Sequence, residues 1–180
     1  MKIAINGFGR IGRNVFRQYL SLRKNFANLE FVAVNDLTSP QTLAHLLRYD
    51  SVHGKLPYEV EVSDNTISVK GVPGGDVSIT VTAERDPSAL PWGSKGVDLV
   101  HECTGIFTSR EKAASHLKAG AKKVLISAPS SDPDLTVAYG VNSEQYNPKE
   151  HDVVSCASCT TNCLAPVAKV LLENFGIKSG

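Results

Sequence analysis

Three of the four cysteines of this 180-residue chain fall close together, in Cys156-Ala157-Ser158-Cys159-Thr160-Thr161-Asn162-Cys163. A cysteine acts as a nucleophile through its thiolate. The apolar pair Val153-Val154 reads as the end of a short buried strand. Beyond the cluster, Leu164, Val167, Ala168, Leu171 and Leu172 recur at helical spacing. Cys159 therefore falls at or near the first turn of a helix. Unpaired backbone N–H groups and the positive end of the helix dipole lie there, and both favour a thiolate. Ser158 and Thr160 add hydroxyls that suit an anion at the same place. Two other readings fit the stretch. One is an N-capped helix with a small buried cysteine. The other is a metal or cluster site of Cys156, Cys159 and Cys163 with His151, although cysteines four apart on a helix more often pack.

A second stretch binds rather than reacts. Lys2–Asn6 reads as an apolar strand, and Gly7-Phe8-Gly9-Arg10-Ile11-Gly12 follows at once. Val15, Phe16, Tyr19, Leu20 and Leu22 form a helical stripe, and Leu29–Val34 a second strand ending at Asn35-Asp36. Strand, G-x-G-x-x-G, helix, strand and acid is the dinucleotide fingerprint in its required context. Gly7, Gly9 and Gly12 permit a tight turn, close approach of a pyrophosphate, and close helix–strand packing. Asp36 can accept from both ribose hydroxyls of NAD and would repel the 2′-phosphate of NADP, with no Arg in the next few residues to reverse this. The expected cofactor is NAD.

These elements need a scaffold. A helix is expected over Pro40–Tyr49, with a loop from Asp50 to Leu56. Tyr58–Val62, Thr66–Lys70 and Val77–Thr82 read as short antiparallel strands. Val97–Cys103, Lys123–Ser127, Thr136–Val141 and Val153–Ser155 read as further strands. A helix is expected over Ser109–Ala119, N-capped by Ser109 and ended by Gly120. The alternation argues an α/β, doubly wound, Rossmann-type sheet, mostly parallel, with a small antiparallel excursion. Ligands of such sheets lie beyond the carboxyl ends of the strands. That directs attention to Gly7–Gly12, Asp36, Thr104–Gly105, Ser127–Pro129 and Ser158–Thr160.

Composition fits a globular, cytoplasmic protein with reduced thiols: 42% hydrophobic, 21% charged, net charge +1. Such a balance draws neither nucleic acid nor an anionic membrane. No apolar run approaches the span of a bilayer, and the start of the chain is too soon polar for a signal peptide.

Taken together, INGFGRIGR, VNDL, HLLRYDSVHG, AERDP, ECTGIFTSREKAASHLKAGAKKVLISAP, YGVN and ASCTTNCLAP resemble the phosphorylating glyceraldehyde-3-phosphate dehydrogenase family, along the whole chain. The resemblance implies a nucleophile at Cys159 that attacks the aldehyde of glyceraldehyde 3-phosphate to give a thiohemiacetal. Oxidation by hydride transfer to NAD gives a thioester, which inorganic phosphate then attacks. It implies cofactor contacts from Arg10, Ile11, Asp36, Arg85, Thr104 and Ser127 beside the glycines Gly7, Gly9, Gly12 and Gly105. It also implies substrate or phosphate contacts from Ser158 and Thr160. A backbone N–H near Cys159, or the Asn162 neighbourhood, is expected to steady the oxyanion.

The family chain is nearly twice this length, so 1–157 is expected to be the NAD-binding domain and 158–180 the start of a catalytic domain. The resemblance puts the family's catalytic His, and other anion-site residues, beyond Gly180. His45, His53, His101, His116 and His151 do not match it and are expected in helix, loop and surface roles, with His101, in a strand before the Thr104 turn, expected to pack or cap rather than act as a base. The family usually has Asn at Cys156 and often Ser at Cys103. The chain alone is expected to bind NAD, to turn over poorly, and to self-associate or take a partner chain carrying the catalytic half. A sister activity, erythrose-4-phosphate dehydrogenase, and a non-catalytic NAD-binding or redox-sensing module are the alternatives. No metal is expected.

Overall fold

A computed structural model describes residues 1–180. In chain order the strands are β1 (Lys2–Asn6), β2 (Glu30–Asn35), β3 (Tyr49–Asp50), β4 (Gly54–Lys55), β5 (Glu59–Ser63), β6 (Thr66–Lys70), β7 (Val77–Thr82), β8 (Leu99–Glu102), β9 (Lys123–Ile126), β10 (Leu135–Thr136) and β11 (Val153–Ser155). The helices are α1 (Arg10–Leu22), α2 (Pro40–Arg48), α3 (Trp92–Lys95), α4 (Arg110–Ala113), α5 (Ser115–Lys118) and α6 (Cys159–Phe175). The main sheet runs β10-β11-β9-β8-β1-β2-β7-β6-β5. Every neighbouring pair from β10 to β7 is parallel, and β6 and β5 add antiparallel hairpins at one edge. The order reverses between β1 and β8, which is the switch point where doubly wound sheets open a crevice.

Strands buried on both faces read as continuous apolar runs, and β1 does so through Ile3, Ala4 and Ile5. Ile3, Ile5 and Phe31 face the buried stripe of α1 (Phe16, Tyr19, Leu20) and Leu43 and Leu47 of α2. Ala4, Ala33 and Val100 face the other way, against Leu90, Trp92 and Val97. Val124, Ile126 and Val153 continue that second face against Ala113. The α1 face of the β8–β9–β11 half carries no helix. Leu99, Leu125 and Val154 line an open apolar cavity of about 680 Å³ there.

Several sequence expectations need correcting. The helix expected over Ser109–Ala119 is two single turns, α4 and α5, interrupted at Ala114. Ser109 still caps the first, its Oγ accepting from Lys112 N–H at 3.4 Å, and Gly120 still follows with φ +99°. The strand expected over Thr136–Val141 is only β10. Asn142 ends it, its Oδ1 accepting from Ala138 N–H at 2.9 Å while its Nδ2 donates to Thr136 C=O at 3.0 Å. The loop expected over Asp50–Leu56 contains the β3–β4 ladder. Val77–Thr82 belongs to the main sheet through a parallel pairing with β2. No helix is long and apolar enough to cross a membrane.

Candidate functional site

The three glycines of the first turn have three different surroundings. Gly7 has φ +90°, and its N–H donates to Asn35 C=O at 2.8 Å. A Cβ on it would lie 2.8 Å from Thr104 N, so the first turn packs directly on the turn after β8. A Cβ on Gly12 would lie 2.3 Å from Gly7 O. A Cβ on Gly9 would meet nothing within 4 Å, so the space there is open to a ligand. Gly9 N-caps α1 without a side chain, which leaves the first-turn N–H groups for an anion.

Asp36 follows the last residue of β2 directly. Its Oδ2 accepts from Phe8 N–H at 2.9 Å and its Oδ1 from Thr38 N–H at 3.0 Å. Arg13, buried, donates from Nη1 to Phe8 C=O at 2.8 Å. Both backbone groups of Phe8 are thereby clamped, and the glycine turn is fixed from each side. Ser39, not Asp36, caps α2.

Two expected cofactor contacts have their side chains engaged elsewhere. The Arg10 guanidinium pairs with the buried Asp50. The N–H groups of His53 and Val52, with Arg10, hold that carboxyl well below the usual range. Only the backbone of Arg10 stays with the glycine turn. Thr104 Oγ1 donates to Glu102 Oε1 and accepts from Ile106 N–H. Ile11 is half exposed, and Gly105 has φ +74° with open space around it. Ser127 N–H donates to Glu102 C=O at 2.9 Å. It neighbours Cys103, whose thiol burial pushes up to about 11. Arg85 is exposed on the loop after β7, which Asn35 holds through both backbone groups of Glu84.

Cys159 is the first residue of α6, exposed at the carboxyl end of β11. Ser155 and Ala157 make the corner before it. Ser155 Oγ donates to Ala128 C=O at 2.8 Å and accepts from Ala157 N–H at 3.1 Å. Ala157 turns the chain at φ +61°. Ser158 caps the helix, its Oγ accepting from Thr161 N–H at 2.9 Å and lying 2.8 Å from Thr160 Oγ1. The N–H groups of Cys159 and Thr160 have no acceptor within the chain. Asn162 is a brace, not an oxyanion donor, because Nδ2 is spent on Cys156 C=O and Ser158 C=O at 2.7 and 2.9 Å. The apolar stripe of α6 exists, but no residue of that helix is buried.

Because β1, β2, β7, β8, β9 and β11 are parallel, the glycine turn, Asp36, Thr104, Ser127 and Cys159 all lie on one edge of the sheet. The open space at Gly9 and the free first-turn N–H groups of α1 fit the pyrophosphate of a dinucleotide. No histidine bonds Cys159. His101 packs on Phe31 with ring centroids 6.3 Å apart, and His151 Nδ1 accepts from Asn147 N–H at 3.0 Å. No group of three or more His, Cys, Asp or Glu side chains is placed to hold a metal ion.

Sequence reasoning missed a buried polar chain beneath this edge. Asn35 Nδ2 donates to Asn6 Oδ1 at 2.8 Å, and Asn6 Nδ2 to Glu102 Oε2 at 2.6 Å. His116 Nε2 bonds the same oxygen at 2.9 Å, and Trp92 Nε1 donates to His116 Nδ1 at 3.0 Å. Glu102 has the strand parity of Val100, an inward position, and that parity is the signal a reader of the sequence has.

Family models match the chain in two places. Residues 1–110 match the model described as glyceraldehyde 3-phosphate dehydrogenase, NAD binding domain, and residues 158–180 match that family's C-terminal domain. Relatives named glyceraldehyde-3-phosphate dehydrogenase come from Geobacillus stearothermophilus (61% identical) and Thermotoga maritima (56%), over 100% and 99% of this chain and 51% of each relative. A Bacillus subtilis relative, glyceraldehyde-3-phosphate dehydrogenase 1, is 58% identical over 100% of this chain and 51% of its own length. The chain thus spans about half the length of the curated relatives it matches. It belongs to the glyceraldehyde-3-phosphate dehydrogenase family.

Proposed function

We propose that this chain binds NAD in the crevice above the glycine turn and carries the nucleophile, Cys159, of the phosphorylating oxidation of glyceraldehyde 3-phosphate. The observation that carries the reading is the shared sheet edge: the clamped glycine turn and Cys159 both lie at strand carboxyl ends. Residues 1–157 form the cofactor domain, and 158–180 begin the part that handles substrate. Gly7, Gly9 and Gly12 form the turn, with the N–H groups of Arg10 and Ile11 toward the pyrophosphate. Asp36 and Arg85 serve the adenosine end. Thr104, Gly105 and Ser127 line the nicotinamide end, where Thr104 contributes its C=O because its hydroxyl and its N–H are both engaged by Glu102.

Cys159 Sγ adds to the aldehyde carbon, forming a C–S bond and leaving negative charge on the carbonyl oxygen. The unpaired N–H groups of Cys159 and Thr160 are the donors for that oxygen. When bound, the nicotinamide supplies the hydride acceptor that turns the adduct into a thioester. Ser158 and Thr160 hold inorganic phosphate, which displaces the sulfur and releases the acyl phosphate. The exposed apolar face of α6 takes further protein, either another copy or a chain carrying the catalytic half. The protein works in the cytoplasm.

Two measurements test this reading. Calorimetric titration should give tighter binding of NAD than of NADP, since Asp36 faces the ribose; equal affinities refute the assignment. Intact-mass analysis after mixing with aldehyde and NAD, without phosphate, should show an acyl adduct that Cys159→Ser abolishes. An adduct that persists in the variant refutes Cys159 as the nucleophile.

A further inference from the structure

The Asn6–Glu102–His116–Trp92 cluster is costly to bury and is not spent on holding two elements together by the shortest means. Glu102 is 1% exposed and His116 0%. Trp92 Nε1–H can only donate, so His116 Nδ1, at 3.0 Å, must accept. The imidazole is therefore neutral, with its proton on Nε2 directed at Glu102 Oε2. Asn6 is oriented as strictly. Its Oδ1 is held by Asn35 Nδ2, so its own Nδ2 must donate to the same Glu102 oxygen. The other Glu102 oxygen, Oε1, accepts from Thr104 N–H at 2.8 Å and from Thr104 Oγ1. A buried carboxylate thus receives four donors, and two of them belong to the turn on which Gly7 packs.

We propose that Glu102 is a positioning residue of the cofactor crevice: held from below by Asn6 and His116, its carboxylate fixes the Thr104–Ile106 turn against the glycine turn, so that the nicotinamide half of a dinucleotide meets a preformed floor. The inference rests on the NAD-binding reading above. Its direction follows from which parts can rearrange. In Glu102→Gln one oxygen becomes an NH2 group. It cannot face Asn6 and His116, since neither can turn to present an acceptor while Asn35 and Trp92 hold them. It must face Thr104, whose hydroxyl can rotate but whose N–H cannot. The damage passes to the Thr104 turn, on the β8 side of the switch point, and spares Asp36 on the β2 side.

The test compares NAD with ADP, which lacks the nicotinamide half, by calorimetric titration of the 180-residue chain. Glu102→Gln should weaken NAD roughly tenfold, as loss of one hydrogen bond to a charged group does, and change ADP by less than about twofold. A purely structural role would lower thermal stability while leaving the ratio of the two affinities unchanged. A folded variant with that ratio unchanged overturns the proposal. A second measurement needs no variant. In ¹⁵N-histidine spectra of the wild type, the His116 ring should report the Nε2–H tautomer, and its signals should shift on adding NAD but not ADP. Absence of that shift, or the other tautomer, also overturns the proposal. A wild-type chain that binds neither nucleotide overturns the cofactor reading itself and the inference with it. Wild-type binding with unchanged selectivity in Glu102→Gln overturns the inference alone.

Discussion

Alanine at Gly12 and alanine at Gly9 should do opposite things, although the two glycines stand three residues apart in one motif. At Gly12 the added Cβ would sit 2.3 Å from Gly7 O and 2.9 Å from Ile5 Cγ2. The first of these is backbone, in a turn already pinned by the Gly7 N–H bond to Asn35 and by contact with Thr104. Nothing there gives easily. Overpacking of this kind costs about 1–3 kcal/mol. Alanine recovers up to about 1 kcal/mol of helix propensity. With a backbone atom as the obstacle, the upper part of the range applies, for a net loss of about 2 kcal/mol. In a domain of this size that lowers Tm by about 4–8 °C. At Gly9 the Cβ meets nothing, so the cost is that of alanine for glycine at an N-cap, about 0.5–1 kcal/mol. That Cβ does occupy the space left for the pyrophosphate, so Gly9→Ala should lose at least about tenfold in NAD affinity, the equivalent of one charge-assisted hydrogen bond. Thermal melts and NAD titrations of both variants decide it. A Gly9→Ala chain that melts below Gly12→Ala, or that binds NAD like the wild type, refutes the division of labour.

Two further outcomes follow from burial. Iodoacetamide at neutral pH should label Cys159 and Cys163, which are exposed, and spare Cys103, whose thiol is pushed up to about 11, and Cys156, raised also by burial, until the chain is unfolded. Peptide mapping that finds Cys103 labelled first refutes this packing. Burial drives His101 down to about 4, so it is neutral in the fold at neutral pH. The unfolded chain binds the extra proton, so its contribution to stability is whole above about pH 6.5 and is lost as pH falls from there through about 4. Melts between pH 7 and 5 should show the decline, and His101→Leu should flatten it. Equal slopes for the two proteins contradict the assignment.

The first half of the fold and the outline of the site were legible because local signals agreed with the tertiary arrangement. KIAIN followed by the glycines can be little other than a buried strand running into a helix, and Asp36 stands where that unit puts an acid. Cys159 was placed at its helix start by the apolar period that follows it. Where the reading failed, a side chain redirected the backbone. Asn142 closes on Ala138 and Thr136 and cuts β10 to two residues, against the strand propensity of TVAYGV. The family resemblance implies ligand contacts from Arg10 and Thr104, and a place near Cys159 offers Asn162 to the oxyanion, but their side chains are engaged inside the chain, with Asp50, with Glu102, and with two carbonyls. Thr104 and Asn162 bond groups within six residues, through turns whose geometry residue type does not show, whereas the Arg10–Asp50 pair spans 40 residues, beyond any local window. The Glu102 network is of the same kind. Its four members come from two strands and two helices, and no window of sequence shows them together.

The corner at Ala157 carries a last consequence. A residue with a β-carbon in the left-handed region at φ +61° gives up about 1–2 kcal/mol that glycine would not. Glycine would also let the backbone swing there, since it enters several wells where alanine has one. No side chain of α6 is fully buried, and beyond the corner its hold on the domain is light, with Lys169 Nζ donating to Gly140 and Val141 C=O at 3.0 and 3.3 Å. The aim of the sulfur over the sheet edge is inherited from that tight, slightly uncomfortable bend, in which a fixed direction is obtained in exchange for ease.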